Sequence, residues 1–230
     1  MAADFHLNSE LKSPIIYYFC AAFNVHEVYL KIHPDNPDDR QIQQVSEILR
    51  QGGVIAYPTD TVYAFGCDIL SYRAVDRIAR MKGIKTAQAN FSLIFSDLSQ
   101  LSDYTVLVNN AVFKLMKSYL PGPYTFILPA RNNIPRIFQS RKKTIGIRIP
   151  DNQIPLEIVR ELGHPIMTTS IHDEDELIEY TTDPELIWEK YKTQVDSVID
   201  GGYGKNEPST VIDCTGDEPV VLRLGIGTVD

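Results

Sequence analysis

The sequence predicts an α/β (α+β) domain built on one twisted, mixed β-sheet flanked by helices. Three observations predict it. Helical and strand periodicities alternate along most of the 230 residues, the C-terminal part is strand-rich, and neither an internal repeat nor a low-complexity linker divides the chain.

Taken in order, Asp39 to Arg50 reads as a helix because Ile42, Val45, Ile48 and Leu49 recur at helical spacing and Gly52-Gly53 stop it. Val54 to Tyr57 is a strand. Ser71 is a fitting N-cap for a helix carrying Val75, Ile78, Ala79 and Met81, closed by Gly83. "FSLIF" is the next strand, and Asn109 opens a helix through Val112, Phe113, Met116 and Leu120 that "PGP" ends. Strands "YTFIL" and "TIGIRIP" follow, then helix "IPLEIVREL" with Gly163 behind it, and strand "PIMTTSI". A helix near "PELIWEKYK" leads to three closely spaced strands, "DSVID", "STVIDCT" and "PVVLRLG".

Composition is that of an ordinary globular chain, 43% hydrophobic and 23% charged. Cys20, Cys67 and Cys214 are odd in number and form no CxxC pair, and the five histidines show no HxxxH spacing. That pattern suits a reducing cytoplasm and gives no sign of a disulfide framework or a protein-built metal site. "PIIYYFCAAF" is about half the length of a membrane span and lacks a basic flank, so neither a membrane segment nor a signal peptide is expected. Residues 1–26 read as an extension ahead of the domain, a candidate mobile arm, with the domain itself spanning 27–230.

Net charge is −8, against the basic balance usual for a dedicated nucleic-acid module. The average hides a separation. Between Arg131 and Pro150 stand Arg131, Arg136, Arg141, Lys142, Lys143 and Arg148 with no acid, whereas Ile171 to Lys190 holds eight acids and one lysine. Such runs are commonly only solvated faces; of the two, the basic one is the candidate RNA-facing surface.

Polar groups collect where strands end. "GGVIAYPTDTVYAFG" turns from an apolar strand into Thr59, Asp60, Thr61 and Tyr63 within a few residues, more hydroxyls than a turn needs. Thr125 lies inside an apolar strand. Thr168, Thr169, Ser170 and His172 close another, Ser209 and Thr210 open one, and Arg223 stands in "VVLRLG". Each alone is explained by strand propensity or turn chemistry. Five such ends in one chain point to a small-molecule or nucleotide pocket beyond the strand ends. No GxGxxG, GxxxxGK[ST] or GxSxG motif is present.

These motifs resemble a known family. "YPTDTVYAFGCD", "LPGPYTFIL", "IGIRIPDNQIPLEIVRELGHPI", "IDGG" and "STVIDCT…VLRLGIG" are similar, in order and spacing from about Lys31 to Gly227, to the YrdC/YciO family of threonylcarbamoyl-AMP synthases. "IHPDNPDD" and "RKKTIGIRIP" look closest to the YciO branch. The resemblance implies a single YrdC-like domain with a nucleotide and threonine pocket. The family makes threonylcarbamoyl-AMP and pyrophosphate from ATP, threonine and bicarbonate, as a step toward threonylcarbamoyladenosine in tRNA. It implies Mg²⁺ carried in with ATP and no metal held by the protein. By the same resemblance Thr61 and Ser209 contact threonine, Thr125, Ser170 and Arg223 contact ATP or AMP, and Lys82 binds phosphate and serves catalysis.

Three positions depart from the family pattern. The KxR motif reads Lys82-Gly83-Ile84, the SxN motif reads Ser170-Ile171-His172, and a histidine usual in the "PLxVHV" strand is Phe95. A lysine such as Lys85 cannot reproduce the two-pronged guanidinium grip, and losing one donor aimed at developing charge costs about 10²–10³ in rate. Two alternatives to synthesis therefore stand beside it. One is a double-stranded RNA or tRNA binder using the basic run. The other is a threonylcarbamoyl-AMP hydrolase with His172 or an acid of "HDEDE" activating water.

Overall fold

The structure is a computed structural model that describes residues 28–86, 91–106, 108–131, 143–171 and 182–229. The candidate N-terminal arm, His172, Arg136, Arg141 and Lys142 lie outside them. Ten strands form one sheet: β1 (Val28–Lys31), β2 (Val54–Tyr57), β3 (Ala64–Asp68), β4 (Ser92–Ile94), β5 (Tyr124–Pro129), β6 (Thr144–Arg148), β7 (Ile166–Ser170), β8 (Ser197–Asp200), β9 (Thr210–Asp213) and β10 (Val220–Arg223). Their spatial order is β1-β8-β2-β3-β7-β4-β6-β5-β9-β10. β1–β8, β2–β8, β4–β6 and β5–β9 pair in parallel, and the remaining neighbours are antiparallel, so the sheet is mixed as expected.

The helices begin and end where local chemistry dictates. α1 (Asp39–Arg50) starts at Asp38, whose carboxylate accepts from the Arg40 and Gln41 amides. α2 (Tyr72–Met81) is capped by the Ser71 hydroxyl, α3 (Leu101–Tyr104) is a single turn, and α4 (Asn110–Tyr119) is capped by Asn109. α5 (Gln153–Leu162) runs from Asn152 to Gly163, which takes a left-handed φ of 81° that few other residues adopt without strain. α6 (Pro184–Tyr191) follows Asp183.

Alternation along the strands sorts the core into two layers. Val54, Ala56, Phe65, Cys67, Leu93, Met167 and Val198 face α2, α4 and α6, through Val75, Ile78, Met116 and Ile187. Their strand neighbours Ile55, Tyr57, Ala64, Ile94, Ile166 and Ile199 face α1 and α5, through Val45, Leu49, Ile154 and Ile158. β5, β6 and β9 contribute Phe126, Leu128, Ile145, Ile147 and Ile212 to the first layer and nothing to the second. The face under α1 and α5 is therefore apolar over only part of its width.

β1 and the single turn α3 were not expected from the sequence, and two further features differ from that reading. "AFGCD" is a fully buried strand where the run was expected to close at Gly66. Gly66 is needed there because a Cβ would stand 2.7 Å from a ring carbon of Tyr57. The three C-terminal strands also part company: β8 inserts between β1 and β2, while β9 and β10 build the opposite margin. β8 and β9 are close in sequence without pairing, whereas β9 and β10 pair antiparallel.

Candidate functional site

The remaining part of the second face is paved with small and polar groups. On β6, Gly146 and Arg148 share that face while Ile145 and Ile147 point into the first layer. A Cβ on Gly146 would collide with the Ser92 hydroxyl and lie 3.2 Å from Thr125 Cγ2. A larger residue here would force the Ser92 and Thr125 side chains of the two neighbouring strands to shift. The Thr125 and Ser209 hydroxyls are 2.8 Å apart and buried. Behind them Arg223 holds the Ser209 carbonyl through Nη2 at 2.9 Å and Nε at 3.3 Å.

The register that opposes Phe126 to Ile147 sets Thr125 beside Arg148, which reaches across the sheet to the turn after β2. Arg148 Nη2 donates to Asp60 Oδ1 at 2.9 Å and to Thr61 Oγ1 at 3.1 Å. The two charged side chains are only 9% and 6% exposed. Water screens such a pair weakly, and neither partner tolerates loss of the other. Arg148 Nε and Asp60 Oδ2 have no hydrogen bond among the described residues.

Every hydroxyl of the "YPTDTVY" turn has a task. The Thr59 hydroxyl donates to the Val62 carbonyl at 2.7 Å and accepts from the Thr61 amide at 3.0 Å. Its proton being spent, the Thr61 hydroxyl 3.1 Å away is the donor of that pair and receives Arg148 in turn. Tyr63 donates to the Gly202 carbonyl at 2.7 Å, and Lys205 N–H donates to the Thr61 carbonyl at 2.9 Å, so the loop after β8 is tied to the same turn. Tyr57 shares a 2.6 Å hydrogen bond with Thr168. Burial pushes its phenol well above the usual tyrosine range, against the pull of Thr168 and the nearby Arg148 guanidinium, so Tyr57 stays neutral.

The structure redistributes the expected site residues. Arg148 is no part of a basic outer face: it is buried and ion-paired with Asp60, because its β6 position points under the sheet's polar patch. Of that run, Arg131 and Lys143 are exposed at the margins of β5 and β6. Thr61, expected to touch threonine, is fully buried and carries Arg148. Thr125 and Ser209, expected to serve different ligands, form one hydroxyl pair, and Arg223 joins them.

Ser170 ends β7 opposite Ala64, half-buried, and Lys82 is the half-buried C-cap residue of α2. Ser92, ten residues beyond Lys82 in the chain, opens β4 opposite Thr168. Ile84, in place of the family arginine, is 40% exposed. Phe95 faces the other way, into the first core layer against Tyr104 with ring centroids 5.3 Å apart. In this chain the position therefore packs in the first core layer.

Asp60 and Arg148 as a pair are what sequence reasoning missed. The available signal was the phase of "TIGIRIP", where Arg148 falls on the glycine's face between inward isoleucines.

Comparison with known proteins agrees with this fold. The model of the Sua5/YciO/YrdC family, described as "Telomere recombination", matches residues 47–225. The chain is 46% identical over 203 residues to YciO of Escherichia coli, covering 87% of this chain and 97% of that one. It is 34% identical over 191 residues to the threonylcarbamoyl-AMP synthase of Bacillus subtilis, covering 82% of this chain but 54% of that longer protein. The crystal structure of E. coli YciO superposes with a TM-score of 0.81 at 44% identity, over 87% of this chain and 97% of that one. Pyrococcus abyssi Sua5 complexed with L-threonine does so with a TM-score of 0.78 at 27% identity, over 86% and 57%. Fold, motifs and relatives agree, and the chain belongs to the Sua5/YciO/YrdC family.

Proposed function

We propose that the polar face binds threonine and an adenine nucleotide and that the protein is a threonylcarbamoyl-AMP synthase of low turnover, linked to threonylcarbamoyladenosine formation in tRNA. One observation carries the reading. A buried guanidinium, Arg148, stands beside the Thr125–Ser209 hydroxyl pair on the part of the sheet that contributes nothing to the apolar layer under α1 and α5 among the described residues, in a chain similar to a Sua5 that was crystallised with L-threonine. A buried cation flanked by hydroxyls suits an anionic small molecule.

The chemistry asks for alignment more than for a nucleophile on the protein. The threonine amine and bicarbonate give a carbamate and water; a carbamate oxygen attacks the α-phosphorus of ATP, and the bond to pyrophosphate breaks. Arg148, Thr125 and Ser209 would hold the amino acid and the ribose–phosphate side, and Lys82 would neutralise charge on the departing pyrophosphate. Mg²⁺ would arrive on the phosphates: Asp60 is committed to Arg148, and no group of three or more His, Cys, Asp or Glu side chains stands together among the described residues. With Ile84 in place of an arginine, one cation that would steady the leaving group is missing, which lowers the rate by about 10²–10³.

The test is a turnover assay at neutral pH with ATP, Mg²⁺, threonine and bicarbonate, following pyrophosphate and threonylcarbamoyl-AMP by chromatography. Product dependent on threonine and lost in Lys82→Ala supports synthesis, and Ile84→Arg should raise its rate at least tenfold. Absence of product from both wild type and Ile84→Arg, with the fold intact, would overturn the reading.

A further inference from the structure

We propose that Asp60 is a positioning residue that makes the Arg148 subsite prefer a carboxylate to a phosphate; this rests on reading the face as a threonine and nucleotide site. The geometry bears on it in two ways. First, Arg148 Nη2 is anchored twice, on Asp60 Oδ1 and on Thr61 Oγ1. A guanidinium is planar, so two anchors on one nitrogen fix the plane of the whole group and the directions of the N–H bonds that remain. Nε is unspent among the described residues, and Nη1 is not used by either anchor.

Second, charge decides what those remaining bonds can hold. The Asp60 carboxylate lies 2.9 Å from Nη2 and its side chain is at least as buried as that of Arg148, so its field is not washed out by water. The pair together is close to neutral. A carboxylate, with one negative charge, can still take N–H bonds from Arg148 at moderate repulsion. A phosphate or pyrophosphate brings two or more charges against the same Asp60 and is disfavoured. An α-amino acid also carries an ammonium that Asp60 attracts. The pair thus separates the two anionic ends of the substrates: the amino acid settles at Arg148, and the phosphates are left to Lys82, near which the chain also carries Lys85.

Titration calorimetry on the full chain tests this with two probes, L-threonine and inorganic pyrophosphate, on wild type, Asp60→Asn and Asp60→Glu. In Asp60→Asn, threonine affinity should fall roughly tenfold and pyrophosphate affinity should rise roughly tenfold, the scale of one charge-assisted contact. Asp60→Glu should restore the preference in part. Opposite movement of the two probes is the signature, because a merely structural role would weaken both. Affinities that move together or stay unchanged overturn the proposal. If wild type does not bind threonine, the functional reading fails by itself, and the pyrophosphate arm still decides the role of Asp60. Should Asp60→Asn fail to fold, as circular dichroism would reveal, Asp60→Glu decides: an unchanged ratio of the two affinities overturns it.

Discussion

The face of the sheet beneath α1 and α5 has two regions that share one sheet but not chemistry. One, formed by β2, β3, β7 and β8, is paved by Ile55, Tyr57, Ile166 and Ile199 and roofed by Val45, Leu49, Ile154 and Ile158. The other, formed by β5, β6 and β9, carries Thr125, Gly146, Arg148 and Ser209 and no member of that apolar cluster. The first region holds the fold, and the second is the one proposed to take a ligand. The boundary between them is Arg148, rooted in the polar region and paired with Asp60 above the apolar one. Where the helical roof stops, side-chain size falls and hydroxyls replace methyl groups. The proposed site is thus a buried polar part of the same face, with Thr125, Arg148 and Ser209 all buried.

The strongest way to break this comparison is at the boundary. Arg148→Met should leave the Asp60 carboxylate buried without its partner and cost about 3–5 kcal/mol in urea denaturation. Adding Asp60→Leu should return most of that loss, since replacing both charges of a buried pair by apolar groups is often close to neutral. If the single substitution were harmless, Arg148 would not be joining the two regions.

In the roofed region, Ile158→Ala removes a fully buried side chain of α5 and should cost about 2–5 kcal/mol through lost burial and the cavity left behind. Ligand affinity should be unchanged in the folded fraction. In the polar region, Gly146→Ala drives a methyl into the Ser92 hydroxyl and against Thr125. Overpacking of this kind costs about 1–3 kcal/mol, and here ligand affinity should fall as well. The two substitutions sharpen the contrast, because stability separates from binding in one and not in the other.

Most of the fold was legible before the structure. Ser71, Asn109 and Gly163 mark helix ends through hydrogen bonds and a left-handed backbone that depend only on neighbouring residues. Alternation in "YTFIL" and "TIGIRIP" announced strands with one apolar side. What was not legible depends on partners far away in sequence. β3 was hidden because Gly66 looks like a turn until the Tyr57 ring is placed over it. The position of β8 follows from parallel pairing with β1 and β2, which no local pattern encodes. The hydroxyl-rich turn stood out at once, yet its meaning did not. Asp60 meets Arg148 across 88 positions, and Arg148 was read with its basic sequence neighbours instead of with the face it shares with Gly146.

The finest test concerns whether the polar region is a site or merely unfinished packing. Thr125→Val keeps the shape of the side chain and removes one hydroxyl from the 2.8 Å pair with Ser209. Stability should fall by only about 1 kcal/mol, the scale of the one hydrogen bond that the Ser209 hydroxyl loses. Thermal unfolding would register a shift of a few degrees at most. Binding should respond more than folding does: a pocket that holds a ribose or an amino-acid hydroxyl at this pair loses a contact a valine methyl cannot replace, and adenine nucleotide affinity should drop roughly tenfold. Nucleotide affinity unchanged while stability shifts as expected would make the Thr125–Ser209 pair a structural hydrogen bond, and the binding surface would contract to Arg148, Ser170 and Lys82.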